Sequence, residues 1–487
     1  MILLIAVRSV LAHPIRSAML ACGFGLGVSV MATLLGVGEV ILEQARSPAL
    51  VGGGDVVVTS AAGRVESARF LLSSVLGVPP LRARVAAASP RARAPLFLVR
   101  GERLVPIMAT GGIPSRERAL GDRETASVGA WVDAPGDAAW VGDPAAVLRA
   151  MDRFHPVPDV PARVSSWAEW LYFNGGSEDA RFYLTFMVGP PLADGHRSAG
   201  VRLQLERGGR TTSYGEGTEV DDAAVLARAP DLAIGRNEVR LDGLRYRIRL
   251  DLPRMDPPGA RTVSAAPERV TGEIVLEAVP GRSLPPLAIR GTRGWISGYV
   301  VPVMSGALVG TLAVGGQTVT LGGRGYHDHN WGFWDGVTWQ WGQVHHDALS
   351  FVYGRVHPPA DAADPERVPG FLAALGPDGP IGYATDVSIT ETNDPATGRP
   401  RSILVRGQGP SLNLSMELAV EDEVATRMAP GFIGGAADFL QLRARYRVAG
   451  RAGGRRFDFE APGAAETFRG RGMLTAEAPE PRPSPRP

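Results

Sequence analysis

From Ser165 to Ala449 the chain is a succession of short runs rich in aromatic and β-branched residues, cut at short intervals by Gly and Pro. Side chains on a strand point alternately to its two faces, so runs that alternate apolar and polar residues read as half-buried strands. Trp167–Asn174, Arg181–Val188, Gly200–Glu206 and Thr271–Ala278 fit that description. The pattern resumes in Thr338–His345, Ser350–Val356, Gly370–Leu375, Ile381–Thr390, Leu412–Val420 and Gln441–Ala449. Asn237–Leu252 (NEVRLDGLRYRIRLDL) is the plainest case, two alternating strands about Asp242-Gly243, a hairpin signal. Strands this regular, with no helices between them, build barrels or sandwiches rather than a parallel α/β sheet.

Ahead of this β half the character differs. Ser17–Gly38 is a run of 22 residues without a charge, spanning roughly 33 Å as a helix and so long enough to cross a bilayer core of about 30 Å. Arg8 and Arg16 precede it and Glu39 and Glu43 follow, which predicts a cytoplasmic N-terminus with the rest of the chain outside. A cleaved signal peptide is the competing reading. Val56–Val58, Leu96–Val99 and Leu104–Met108 read as short strands, and Ser67–Val75 and Pro144–Asp152 as helices. His155–Arg163 (HPVPDVPAR) carries three Pro in nine residues and reads as a linker. The domain organisation expected is a cytoplasmic segment 1–16, a membrane helix 17–38, a small α/β extracytoplasmic domain 39–154 and a linker 155–164. Two β-domains at 165–332 and 333–472 and a Pro-rich disordered tail 473–487 complete it.

The densest chemistry lies in Gly322–Trp341 (GGRGYHDHNWGFWDGVTWQW), which holds four of the nine Trp: Trp331, Trp334, Trp339 and Trp341. Strand alternation places Tyr326, Asp328 and Asn330 on one face and His327, His329 and Trp331 on the other. One face would then present a proton donor with hydrogen-bonding partners, the other two imidazoles backed by an indole. A buried hydrogen-bond network is the structural alternative. A metal site is a third, with its remaining ligand from His345, His346 or Asp347. Arg324 is placed to neutralise or orient Asp328.

Two segments resemble the AttH/CrtC group, which includes carotenoid 1,2-hydratases. Glu169–Gly175 (EWLYFNG) is similar to its E-W-W-Y-F-x-G opening, with Leu171 in place of the second Trp; Gly325–Gly332 (GYHDHNWG) is similar to its aspartate-bearing strand, followed by Trp339–Gly342 (WQWG). The resemblance spans about residues 165–472 and implies two tandem lipocalin-like antiparallel β-barrels with an apolar pocket. It assigns Asp328 and Tyr326 to proton delivery onto a carbon–carbon double bond. A carboxyl group in an apolar cavity stays protonated and can act as a general acid, and aromatic faces can stabilise the resulting cation. Glu169, Trp170, Tyr172, His327, His329, Asn330 and the four Trp are the candidate ligand-binding residues. The histidine and tryptophan that the hydratases use upstream are not matched in Gly298–Val303 (GYVVPV), and Trp295 does not fit by position.

Arg16–Ser17 leading into the apolar run, then Gly38–Glu39 and Gly52–Val58 (GGGDVVV), resemble the first helix and extracytoplasmic opening of an FtsX/MacB-type ABC permease over roughly residues 1–150. No later span of such length follows. The resemblance therefore implies an anchor that docks ABC permease and ATPase subunits rather than a transporter.

Composition excludes several classes. The 51 basic residues are all Arg, which rules out chemistry that needs an ammonium group, as P-loop, PLP and Schiff-base enzymes do. Cys22 is the sole cysteine, so there is neither a disulfide framework nor a thiolate metal site. A net charge of +1 gives nucleic acid no electrostatic handle. No cofactor is expected. The function expected is binding of an apolar isoprenoid or lipid in a barrel, with acid-catalysed hydration or isomerisation at Asp328. The alternatives are a non-catalytic binding subunit of an export system and a scaffold with filled barrels.

Overall fold

The computed structural model describes residues 83–134, with breaks at 101–102, 123–124 and 126–127, and residues 144–470 except 178, 256–267, 378 and 429–436. Ahead of residue 83 it describes only 12, 14–15, 56–58 and 72. The apolar run 17–38 and the tail 473–487 lie outside the described residues. Among those described, no helix is long and apolar enough to cross a membrane.

The chain divides into two compact units, Met1–Val65 with Ala86–Asp137, and Glu66–Val85 with Ala138–Pro487. In the first unit β1 (Arg91–Arg100) and β2 (Arg103–Gly112) form an antiparallel hairpin that contains both expected strands. The helix α1 (Pro114–Ala119) opens on Pro, whose missing N–H would have no partner in a first turn anyway. Its Glu117 is buried and accepts hydrogen bonds from Ser89 Oγ at 2.6 Å and from Arg91. Val56–Val58, expected as a strand, is not in one. Nothing in this hairpin and helix supports the likeness to a permease.

The second unit is almost all antiparallel β. It begins with α2 (Pro144–Met151), one face of which buries Val147, Leu148 and Met151, while Arg149 pairs with Asp231 at 3.2 Å. The first sheet contains β3 (Trp167–Gly176), β4 (Ala180–Pro191), β5 (His196–Arg207) and β6 (Arg210–Asp221). The helix α3 (Asp222–Arg228) follows, capped by the Asp221 carboxylate. Then come β7 (Leu232–Ile234), β8 (Asn237–Asp242), β9 (Arg245–Pro253), β10 (Arg269–Glu277), β11 (Leu284–Arg290), β12 (Ile296–Val314) and β13 (Gln317–Phe333). The order is β6-β5-β4-β3-β13-β12-β10-β9-β8-β7, with β11 also on β12. The edge strand β6 comes round to the end of β9 and nearly closes the sheet: Met255 N–H donates to Ser213 O at 2.9 Å and Tyr214 bridges Arg254. Two register shifts between Val300 and Gly306 bend β12, so that β10 pairs with one half of it and β11 with the other.

The second sheet holds β14 (Thr338–His346), β15 (Leu349–His357), β16 (Phe371–Gly376), β17 (Gly379–Ala384) and β18 (Asp386–Asn393), followed by β19 (Pro400–Gly409), β20 (Leu412–Met428), β21 (Ala437–Ala452) and β22 (Arg455–Gly470). Its order is β17-β16-β15-β14-β22-β21-β20-β19-β18, and Tyr383 N–H on β17 reaches Ser411 Oγ, just ahead of β20, at 3.2 Å. The molecule is thus mainly β, with two nearly closed barrels. Barrel one is filled by its own side chains: Phe182, Leu184, Phe186 and Val188 of β4 alternate inward and are all but fully buried. Burial of this kind contributes roughly 1.5–3 kcal/mol per large apolar side chain.

The β8–β9 hairpin forms as its sequence predicts, but with its two-residue turn at Gly243-Leu244. Gly243 has φ 61°, the left-handed backbone that a hairpin turn asks of its first central residue. The expected strand Ile381–Thr390 is split at Thr385 into β17 and β18. Strands β6, β12, β19 and β22 carried no clear period. Strand β12 is buried on both faces over much of its length, which erases alternation, and β22 has Pro462 and Gly463 at its centre.

Candidate active site

The register of β3 against β13 builds two compartments back to back. Cross-strand partners project to the same face. The pairs Trp170↔Asn330, Tyr172↔Asp328 and Asn174↔Tyr326 face away from the core of barrel one, whereas Glu169↔Trp331, Leu171↔His329 and Phe173↔His327 face into it.

The inward face is a charge-compensated network. Asp152, directly after α2, is fully buried; its Oδ2 accepts from Tyr246 Oη at 2.8 Å and contacts His327 Nε2 at 3.0 Å, and its Oδ1 meets His329 Nδ1 at 2.9 Å. His329 Nε2 meets Glu169 Oε1 at 2.9 Å, and Glu169 also accepts from the His155 N–H at 3.0 Å and contacts its Nδ1 at 2.7 Å. Phe173 stacks on His327 and Trp331 on His155, each pair with ring centroids 4.1 Å apart. Burial disfavours the His329 imidazolium, but hydrogen bonds and charge from Asp152 and Glu169 outweigh it and raise the pKa to about 9. Burial likewise opposes ionisation of Asp152, and the neighbouring His327 and His329 overcome it and hold its carboxyl below the ordinary range.

This corrects four ligand-binding expectations: Glu169, His327, His329 and Trp331 do not line the cavity. His155, Glu169 and His329 bring three ligand atoms within 4.8 Å of one another, among the described residues the one such group. Each of those atoms already has its hydrogen-bond partner here. His345 bonds Ser350 Oγ at 2.8 Å and His346 stacks on Phe459, both on the second sheet, so neither completes a metal site with His327. The stretch 155–163 is no free linker either. His155 N–H is bound by Glu169, His155 O accepts from buried Arg197 at 3.2 Å, and α2 and Asp152 belong to the barrel unit. Sequence reading missed Asp152 and His155, which lie outside any motif.

Close packing behind Trp331 requires a glycine. A Cβ on Gly298, its cross-strand partner, would lie 2.0 Å from Trp331 Cε2. Gly298→Ala should therefore lower stability by about 1–3 kcal/mol, read from urea melts.

The outward face opens on a cavity of about 840 Å³ between the two barrels, lined mainly by apolar side chains. Trp170 from β3, Trp334 after β13 and Trp339 and Trp341 from β14 form its aromatic wall; Trp170 and Trp334 lie 4.6 Å apart, Trp334 and Trp339 5.5 Å. Asp328 lines the same cavity. Its Oδ2 accepts from Tyr326 Oη at 3.0 Å and its Oδ1 from Asn330 Nδ2 at 2.8 Å. Behind it, Tyr326 Oη and Tyr299 Oη are 2.6 Å apart, and Tyr299 Oη accepts from Trp341 Nε1 at 3.0 Å. An indole nitrogen only donates, so Trp341 gives its proton to Tyr299 while Tyr326 donates to Asp328, and the two phenols between them share one hydrogen bond.

Burial, and after it the negative charge of Glu466, push the Asp328 carboxyl well above the usual carboxylate range, against the opposing pull of Tyr326, His329 and Asn330. Burial also keeps Tyr326, Tyr299 and Tyr172 neutral. Asp328 is therefore a neutral acid at the wall of an apolar cavity. Two donors already placed on its oxygens stabilise the carboxylate left after proton loss. Arg324 does not reach it and donates to Ser305 Oγ at 3.2 Å. Trp295 is in the core of barrel one, donating to Phe333 O at 2.9 Å. Sequence reading missed Tyr299 and Glu466, which only the pairing of β12 and β22 with their neighbours brings to the cavity.

The pKa shifts give stability a pH dependence. The raised pKa of His329 stabilises fully below about pH 6.5, its ordinary value, and that contribution is lost as pH rises through about 9. Glu466, raised to about 7 by burial, holds its proton in the fold but not in the unfolded chain between about pH 4.5 and 7, so it too loses stability as pH rises. The depressed carboxyls of Asp152 and Glu169 act oppositely, stabilising above about pH 4 and failing as pH falls through their folded values. Melting temperature should fall from pH 6 to pH 9, and Glu466→Gln should flatten the part below pH 7.

The fold and the cavity define a mainly β, two-barrel protein with an acid-bearing apolar pocket between its barrels. No family model matches the chain and no curated protein matches it. Among solved structures it is similar to the protein described as an AttH (NE1406) from Nitrosomonas europaea, at 16% identity over 62% of this chain and 92% of that one, with a TM-score of 0.41. It is similar also to CghA with Sch210972, at 10% identity over 66% and 95%, TM-score 0.41, and to kievitone hydratase from Nectria haematococca, at 13% identity over 64% and 93%, TM-score 0.39. The chemistry of this chain is therefore read from its own residues.

Proposed function

We propose that the chain binds an apolar, unsaturated small molecule of isoprenoid or lipid type in the cavity between its barrels, and that Asp328 delivers a proton to a double bond of that ligand. Hydration and isomerisation both begin with this step. The observation that supports it is the placement of Asp328: a buried carboxyl held by Tyr326 and Asn330 in a cavity that Trp rings also line. The electron-rich ring faces can stabilise a carbocation formed there. His327 and His329, used up in the network with Asp152, play no direct part in it.

The test is mass spectrometry of organic extracts from the chain purified from its own host, followed by incubation of the extracted species in heavy water. One apolar species bound near stoichiometrically, gaining deuterium on carbon, is the expected result. A bound species that never exchanges would leave a binding protein without catalysis. Nothing bound would favour a scaffold. We also propose that residues 17–38 anchor the barrels at the outer face of a cytoplasmic membrane, a reading supported by the charge-free run and its flanking arginines. Recovery of the full chain in the soluble fraction after lysis would refute that.

A further inference from the structure

We infer that Glu466, on the second barrel, is the proton acceptor that works with Asp328 across the cavity, taking the proton of the water that adds to the protonated ligand. The inference rests on the function proposed above and gives Asp328 a partner. Glu466 is on β22 with Trp341 of β14 and Gln441 of β21 as its cross-strand partners, and all three project to one face. Its side chain lines the same cavity as Asp328; Tyr172, Trp339 and Gln441 offer their polar hydrogens to its carboxyl, while its Oε1 is buried and makes no close hydrogen bond. An ionisable oxygen without a close partner in an apolar wall is costly to the fold, and a ligand-derived or water proton would satisfy it. The titratable groups that feel the charge of Glu466 include Asp328 on β13, Tyr172 and Tyr183 on β3 and β4, Tyr299 on β12 and Tyr353 on β15, and Arg202, Glu216, Arg355 and Arg367 line the same cavity.

The two carboxyls differ in the way an acid–base pair must. Asp328 stands far above the ordinary range and stays protonated, while Glu466, at about 7, is half ionised at neutral pH. In the first step the alkene π pair takes the Asp328 proton, forming a C–H bond and a carbocation, and Asp328 becomes a carboxylate. A lone pair on water then forms the C–O bond, and the O–H bond pair stays on oxygen as its proton passes to the Glu466 carboxylate. The sum is addition of one water. Transfer of the proton from Glu466 to Asp328 through solvent resets the pair.

The test uses the full chain in detergent, with Glu466→Gln and Asp328→Asn. In an infrared titration of the carboxyl bands, wild type should show one group ionising near neutral pH that is absent from Glu466→Gln. The Asp328 band should ionise at lower pH once position 466 carries no charge. With squalene as the probe in heavy water, wild type should place deuterium on carbon and add water. Glu466→Gln should keep the deuterium and lose water addition by about 10²-fold or more, whereas Asp328→Asn should lose both. Equal water addition by Glu466→Gln and wild type overturns this inference and leaves the role of Asp328 standing. So does a Glu466 that ionises in the ordinary carboxylate range while the Asp328 midpoint stays unmoved. No deuterium on squalene with wild type overturns both readings for isoprenoid alkenes.

Discussion

Replacing Asp152 with Ala should cost about 3–5 kcal/mol of stability, the range for removing one partner of a buried ion pair. The carboxylate closes three contacts at once, with Tyr246, His327 and His329, and all four groups are fully buried away from bulk solvent. Without it, His329 keeps only Glu169 to support its charge, so its pKa should fall. Urea unfolding at pH 6 reads the loss directly. Tyr246→Phe deletes only the hydroxyl and should cost about 1 kcal/mol. Combined with Asp152→Ala it should add almost nothing, because the partner of that hydroxyl is already gone. A full additive cost would show that the network is not coupled as its distances indicate.

Asp328→Asn should lower turnover by about 10²–10⁴-fold while leaving ligand binding nearly intact. The amide fits the same space but has no acidic proton to give, so the loss should appear in kcat rather than KM. Tyr326→Phe should be milder. It removes one of the two donors to the carboxylate and interrupts the chain that begins at Trp341, and a loss of about tenfold is expected from one such bond. Single-turnover assays on the ligand recovered from the cavity, run beside a binding titration, separate the two parameters. Full turnover by Asp328→Asn would remove it as the acid.

Parts of this site were legible before any coordinates. Strand alternation divided Tyr326, Asp328 and Asn330 from His327, His329 and Trp331, and the division holds because β13 runs as a strand through all six. Trp170, Tyr172, Trp334, Trp339 and Trp341 line the cavity, and here the resemblance and the local pattern agreed. The assignment of both faces to one ligand-binding surface failed at Glu169, His327, His329 and Trp331. Periodicity tells which side chains share a face, but it carries no information on what packs against that face.

Short-range pattern by itself determined the antiparallel β character, the β8–β9 hairpin and the sorting of β13 into two faces, because each depends on spacing along one or two strands. Only the tertiary structure decided that one face is sealed against Asp152 and the other opens on a cavity. Asp152 lies 175 residues before His327 in the chain, and Glu466 reaches the cavity only through the pairing of β22 with β14. A buried charge is compensated, and an acid is desolvated, by groups close in space. The distance along the chain between such groups has no period to read.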